Sequence, residues 1–142
     1  MECVEFGGNS YKLVNQTATF HQAQSYCSID DNDRNLVSIH SPEESNFVGK
    51  LLEENDYESF IHIGGFVTTV ELCDEDEDKW SWSDGSLWNY THWYPGYPKC
   101  FGINYQYDLF CAQLSITSDF GVRWKNFECS DEYGFLCKWM PN

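Results

Sequence analysis

Positive charge is the scarcest commodity in this sequence: eight Lys and Arg stand against 23 Asp and Glu, a formal net charge of -15. Phosphate recognition needs a basic face, so nucleic acid is excluded as a partner and an anionic membrane surface is disfavoured. No apolar run approaches the roughly 18 residues that a bilayer-spanning helix requires, and no membrane insertion is expected. The start, Met1-Glu2-Cys3, lacks the basic-then-apolar pattern of a signal peptide, which reads as a mature or trimmed form. Histidine is sparse as well. His21, His40, His62 and His92 are scattered, with no i, i+4 pair and no Gly-x-Ser-x-Gly elbow, so each reads as structural and no enzyme activity or cofactor is expected. Internal repeats, linkers and low-complexity segments are absent too, which leaves one domain over residues 1–142.

What the chain has in abundance is cysteine and aromatic residues. Seven cysteines without the Cys-x-x-Cys spacing of zinc sites point to a disulfide framework and an oxidising, extracellular compartment, hence a secreted protein. Apolar residues make up 42% of the sequence and aromatics 18%, ample for one compact core. Two sequons, Asn15-Gln16-Thr17 and Asn89-Tyr90-Thr91, mark Asn15 and Asn89 as glycosylation candidates.

Along the chain, Tyr11-Lys12-Leu13-Val14 alternates as a short first strand. Thr19 can cap a helix whose apolar residues Phe20, Ala23 and Cys27 fall on one face. Leu36-Val37-Ser38-Ile39 reads as a buried strand. Ser41-Pro42-Glu43-Glu44 is a helix start, with Ser41 as cap, Pro42 as first helical residue and Glu44 as the reciprocal capping-box partner. Phe47, Val48, Leu51 and Leu52 give that helix its apolar stripe up to about Asn55. Helical periodicity then ends. Phe60-Ile61-His62-Ile63-Gly64-Gly65-Phe66 is a strand whose glycines allow close backbone approach, Trp80-Ser81-Trp82 alternates before a tight Asp84-Gly85 turn, and three further strands lie near residues 110–114, 122–124 and 134–138. The class is α+β, two helices followed by a β-rich half.

Between residues 86 and 109 regular patterning is missing, and a stretch of that length in a compact domain is usually functional. Its centre, Trp93-Tyr94-Pro95-Gly96-Tyr97-Pro98-Lys99-Cys100, must be a loop, because prolines and glycine break both helix and central strand. Tyrosines on such a loop offer a ring face and a hydroxyl near water, as binding surfaces do. Tyr94, Tyr97, Tyr105 and Tyr107 are therefore candidate ligand contacts. Trp80, Trp82, Trp93 and Trp124 read as core.

The chain resembles the C-type lectin-like domain from Tyr11 to Lys138. The likeness rests on Phe20-x-x-Ala23-x-x-x-Cys27, Asn35-Leu36-Val37-Ser38-Ile39, Ile61-His62-Ile63-Gly64-Gly65, Trp80-x-Trp82-x-Asp84-Gly85, Asn89-Tyr90-Thr91-His92-Trp93, Trp124-x-x-x-x-Cys129 and Gly134-Phe135-Leu136-Cys137. In its short form it is similar to secreted fish lectins and type II antifreeze proteins. The resemblance implies two helices, two small antiparallel sheets and a long loop region, stapled by Cys27 with Cys137 and Cys111 with Cys129. Of the remaining cysteines, Cys73 with Cys100 would tie an exposed acidic turn to the long loop. Cys3 is left over, either as a free thiol or as the link of a disulfide-joined dimer.

The family's sugar site is a calcium ion held by carboxylates and amides. Its five ligand positions align here with Tyr97, Lys99, Leu109, Lys125 and Asn126, of which only Asn126 keeps a coordinating side chain. Two ammonium groups repel a divalent cation, so no metal is expected at this site. Lys99 and Lys125 could instead receive an acidic sugar or a carboxylate of a protein partner, or simply pair with Asp108 or Asp119. The run Asp74-Glu75-Asp76-Glu77-Asp78 lacks the alternating spacing and glycine of a calcium loop and reads as a solvated turn, the alternative being a second ion site. Two functions remain open: recognition of a glycan or protein ligand without calcium, through Tyr94, Tyr97, Lys99, Tyr105, Tyr107, Lys125 and Asn126, and a surface-adsorbing role of the antifreeze or mineral-coat kind.

Overall fold

The computed structural model describes residues 3–67, 80–99 and 110–141. Among the described residues ten elements follow in order: β1 (Val4–Phe6), β2 (Asn9–Ala18), α1 (Phe20–Ser28), β3 (Asn35–Leu36), α2 (Pro42–Glu54), β4 (Ile61–Val67), β5 (Trp80–Trp82), β6 (Phe110–Thr117), β7 (Gly121–Glu128) and β8 (Tyr133–Trp139). Two antiparallel groups, β1-β2-β8 with β3 and β4-β6-β7 with β5, are joined where β4 runs parallel to β8 at Ile61↔Gly134 and His62↔Phe135.

Thr19 caps α1 as expected and closes a capping box with Gln22, while Phe20, Ala23 and Cys27 turn inward. In α2, Ser41 Oγ accepts from the Glu44 N–H at 3.0 Å, but the expected reciprocal bond from Glu44 does not form. The Glu44 carboxylate is buried, 7% exposed, and spends its oxygens elsewhere. Oε1 accepts from the His40 N–H at 2.8 Å, and Oε2 accepts from the Tyr11 hydroxyl at 2.5 Å and from Lys138 Nζ at 2.6 Å. A charge inside the fold must be paired and hydrogen-bonded, and only tertiary partners supply that. Burial, and behind it the hydrogen bond and charge of Glu44, push the Tyr11 hydroxyl far above its ordinary range.

Of the strand expected from Leu36 to Ile39, only Asn35–Leu36 is regular. Val37, Ser38 and Ile39 are buried all the same, because the Val37 N–H reaches the Leu136 carbonyl at 2.9 Å and its own carbonyl takes the Gly64 N–H at 2.8 Å. A Cβ on Gly64 would stand 3.0 Å from the Leu36 carbonyl and 2.7 Å from Ser83 Oγ, the close backbone approach that its glycine allows. The first strand is longer than expected and has an N-terminal partner in β1, whose Phe6 stacks on Phe47 of α2 at 4.6 Å.

Cys27 pairs with Cys137 across 110 residues, and Cys111 with Cys129 across 18. In the chain-entropy model such loops are worth about 4–5 and about 3 kcal/mol. Cys3 is exposed and unbonded among the described residues. Cys73, Cys100 and the acidic run Asp74 to Asp78 lie outside the described residues. Within the described residues no helix is long and apolar enough to cross a membrane.

Candidate functional site

The long loop is built on tryptophan. Trp80, Trp82 and Trp124 are buried, and Trp88 and Trp93 pack against them with ring centroids between 4.5 and 6.4 Å apart. Trp93 is only partly buried, so it roofs the cage rather than filling it. Trp88 was not among the expected core residues, since nothing in its sequence neighbourhood shows it folding back over β5. The roof is pinned by backbone: the Tyr94 N–H reaches the Trp124 carbonyl at 2.8 Å and the Trp124 N–H reaches the His92 carbonyl at 2.9 Å, a short parallel bridge to β7.

Leaving this anchor, the chain turns at residues 94–97, where the Tyr97 N–H bonds the Tyr94 carbonyl at 2.9 Å and Gly96 takes a φ of +87° that favours glycine. The Tyr97-Pro98 bond is cis. Lys99 is then clamped by Asn126, whose Oδ1 accepts the Lys99 N–H at 2.6 Å while its Nδ2 donates to the Lys99 carbonyl at 2.8 Å. Asn126 is 1% exposed, and both polar atoms of its carboxamide bond the backbone N–H and C=O of this one residue. It positions the loop.

Around that clamp the structure gathers Tyr94, Tyr97, Lys99 and Lys125. The two rings meet edge to face at 6.1 Å. Lys125 Nζ lies 4.4 Å from the Tyr94 ring centroid, 5.5 Å from that of Tyr97 and 5.7 Å from that of Phe60, and Lys99 Nζ lies 4.8 Å from that of Tyr97. An ammonium over an aromatic face is held by the ring quadrupole. The Tyr94 hydroxyl donates to Asp119 Oδ2 at 2.7 Å, which pushes the hydroxyl up and holds the Asp119 carboxyl below its ordinary range. Asp119 is thus taken by Tyr94, and among the described residues neither lysine pairs with it. Tyr105, Tyr107, Asp108 and Leu109 lie outside the described residues.

Sequence reasoning missed the rest of this surface. Arg123 and Phe127 flank the expected Lys125 and with it alternate with buried Trp124 and Asn126 on β7, the outermost strand of its group. Arg123 stands over Phe120, 5.8 Å from its centroid, and Phe127 meets Phe60 at 5.3 Å, with Tyr133 beyond. The period-two alternation in Arg123-Trp124-Lys125-Asn126-Phe127 was the available signal.

A second polar assembly lies toward the start of the loop. Lys138 Nζ also donates to the Ser38 carbonyl at 2.9 Å; Ser38 Oγ donates to Asp84, and Asp84 accepts from the Ser86 N–H at 2.9 Å. Burial alone would push the Asp84 carboxyl up, but the hydrogen bonds of Ser38 and Ser86 and the charge of Lys138 together hold it low. His40 bridges Ser86 Oγ at 2.9 Å and Asn89 Oδ1 at 2.7 Å. Both Asn89 and Asn15 are exposed. His62 is fully buried, and its Nε2 carries the proton because it faces the carbonyls of Ala18 at 2.8 Å and Asp131 at 3.1 Å; burial holds its pKa down.

Residues 16–139 match the family model of the lectin C-type domain. Snaclec A3 of Macrovipera lebetinus is 32% identical over 139 residues, which cover 92% of this chain and 77% of that protein. Human lithostathine superposes with a TM-score of 0.76 at 28% identity, over 98% of this chain and 88% of its own. A calcium-independent type II antifreeze protein superposes with a TM-score of 0.71 at 22% identity, over 97% of this chain and 91% of its own, a likeness of fold alone. With its two helices, its long-loop anchor on β7 and its paired Cys27–Cys137 and Cys111–Cys129, this chain belongs to the C-type lectin domain family.

Proposed function

We propose that the protein is an extracellular recognition module that binds a glycan or protein ligand at the long loop without calcium, and that it is not an enzyme. The observation behind this reading is the exchange of chemistry at one place. Where the family holds a calcium ion, Lys99 and Lys125 bring two ammonium groups to the Tyr97 ring, at 4.8 and 5.5 Å from its centroid. The remaining coordinating side chain, Asn126, has its oxygen committed to the Lys99 N–H at 2.6 Å. Calcium needs six to eight oxygen ligands and negative charge around it, and this donor set does not fit. Tyrosine rings and cations remain for the ligand, with Tyr105 and Tyr107 as further candidates from the same loop. The disulfide framework supports secretion, and the exposed sequons at Asn15 and Asn89 support a glycoprotein.

A glycan and protein array read with and without EDTA tests this. Saturable binding that survives the chelator and is lost in Tyr97→Ala is the expected result; a chelator-sensitive sugar signal overturns it. No array signal together with altered ice or mineral growth would favour the surface-adsorbing role. Electrophoresis under reducing and non-reducing conditions reads Cys3, since a single-chain band in both removes the disulfide-linked dimer.

A further inference from the structure

We propose that the ligand is a saccharide bearing one carboxylate or sulfate group, with the anion seated on Lys99 and Lys125 and the sugar ring against Tyr97. This rests on the long-loop reading above and goes on to name the ligand's class.

Three of the chain's eight cationic side chains, Lys99, Arg123 and Lys125, converge on one strip of a protein whose net charge is -15. Both lysines stand over the same ring, so their charges repel each other across a distance no greater than the sum of their separations from it. Neither has a carboxylate partner among the described residues. Lys138 shows the contrast, with Glu44 Oε2 at 2.6 Å. Asp119, a carboxylate on this strip, accepts from the Tyr94 hydroxyl. An anion placed between the two ammonium groups would relieve their repulsion and gain two charge-assisted hydrogen bonds. Lys125 is half-buried against Tyr94 and Phe60, so little rotamer freedom is lost when it binds.

The number of charges follows from the whole molecule. At long range the acidic chain repels a polyanion or an acidic protein in proportion to that partner's charge, whereas a single anion meets the two lysines inside a Debye length. The rings supply the apolar half of the contact. Beyond Lys125 the aromatic surface continues through Phe60 and Phe127, which extends the platform past the anion for a neighbouring sugar unit.

The test is a glycan array in EDTA with matched neutral, sialylated and sulfated versions of the same oligosaccharides, followed by titration of the best binder. An anionic version should bind at least about tenfold tighter than its neutral parent and weaken with salt, the two anionic arms separating carboxylate from sulfate. Lys99→Gln and Lys125→Gln should each weaken it about tenfold, with Lys125→Arg retaining most of the affinity. Thermal unfolding checks each variant, and exposed Lys99 serves alone if Lys125→Gln does not fold. Equal binding of neutral and anionic glycans, lost in Tyr97→Ala, overturns the anion while leaving long-loop recognition intact. Binding on a protein array only, again lost in Tyr97→Ala, has the same consequence. Silence on both arrays overturns both readings.

Discussion

Replacing Asn126 separates a positioning role from a ligand role. Its carboxamide makes two hydrogen bonds to the Lys99 peptide, at 2.6 and 2.8 Å, from a site 1% exposed to solvent. Each such bond contributes about 1 kcal/mol net, so Asn126→Ala should cost about 2 kcal/mol. For a chain of this size that lowers Tm by about 6 °C. The loss should be concentrated where the clamp acts. The Lys99 amide, protected by Asn126 Oδ1, should exchange its hydrogen at least about tenfold faster, while amides in β2 and β8 should slow or quicken only with global stability. Asn126→Asp sharpens the test. It keeps an acceptor for the Lys99 N–H but loses the donor and turns a carboxylate toward the Lys99 carbonyl, so it should destabilise at least as much as Ala. Calcium should restore none of that loss. Thermal denaturation with and without calcium, together with exchange at Lys99, reads all of this. An Ala variant within about 0.5 kcal/mol of the parent with unchanged Lys99 exchange, or an Asp variant rescued by calcium, would refute the clamp.

Three further outcomes follow from the same geometry. Glu44→Gln or Lys138→Met alone should cost about 3–5 kcal/mol in urea unfolding, because each leaves a buried charge unpaired; the double variant should recover part of that, and strict additivity would count against a coupled pair. Thermal stability should decline as pH falls below about 6.5, since the unfolded chain takes up a proton that buried His62, with His92 beside it in direction, resists. Asp84, held low, should add a second loss in more acid solution, and a Tm unchanged from pH 8 to pH 4 would contradict both. Removing the bridge of Cys111 and Cys129 with a double Ala substitution should cost about 3 kcal/mol and release β6 from the segment before β8, measured by denaturant titration.

Local chemistry alone determined a good deal here. Capping at Thr19 and Ser41, the apolar face of Phe20, Ala23 and Cys27, and the glycine at Gly64 are set by neighbours three or four residues away or by one residue's own sterics, so they are legible in sequence. The charge balance and the cysteines were legible from composition, and the placement of Tyr94, Tyr97 and Lys99 in a lectin-type loop, with Lys125 on the strand beside it, from the family resemblance. Tertiary structure decided where polar atoms spend their hydrogen bonds. Glu44 has the sequence of a capping-box glutamate, yet Lys138, far along the chain, and Tyr11 offer a buried carboxylate more than a helix terminus can. Asn126 has the chemistry of a metal ligand, yet the Lys99 peptide arrives within 2.6 Å and takes it. Phe60 and Tyr133 meet because β4 and β8 run parallel there, and Phe127 joins them from β7, which β6 ties to β4. Pairings across such separations depend on strand register and long-loop closure, which residue order does not encode locally.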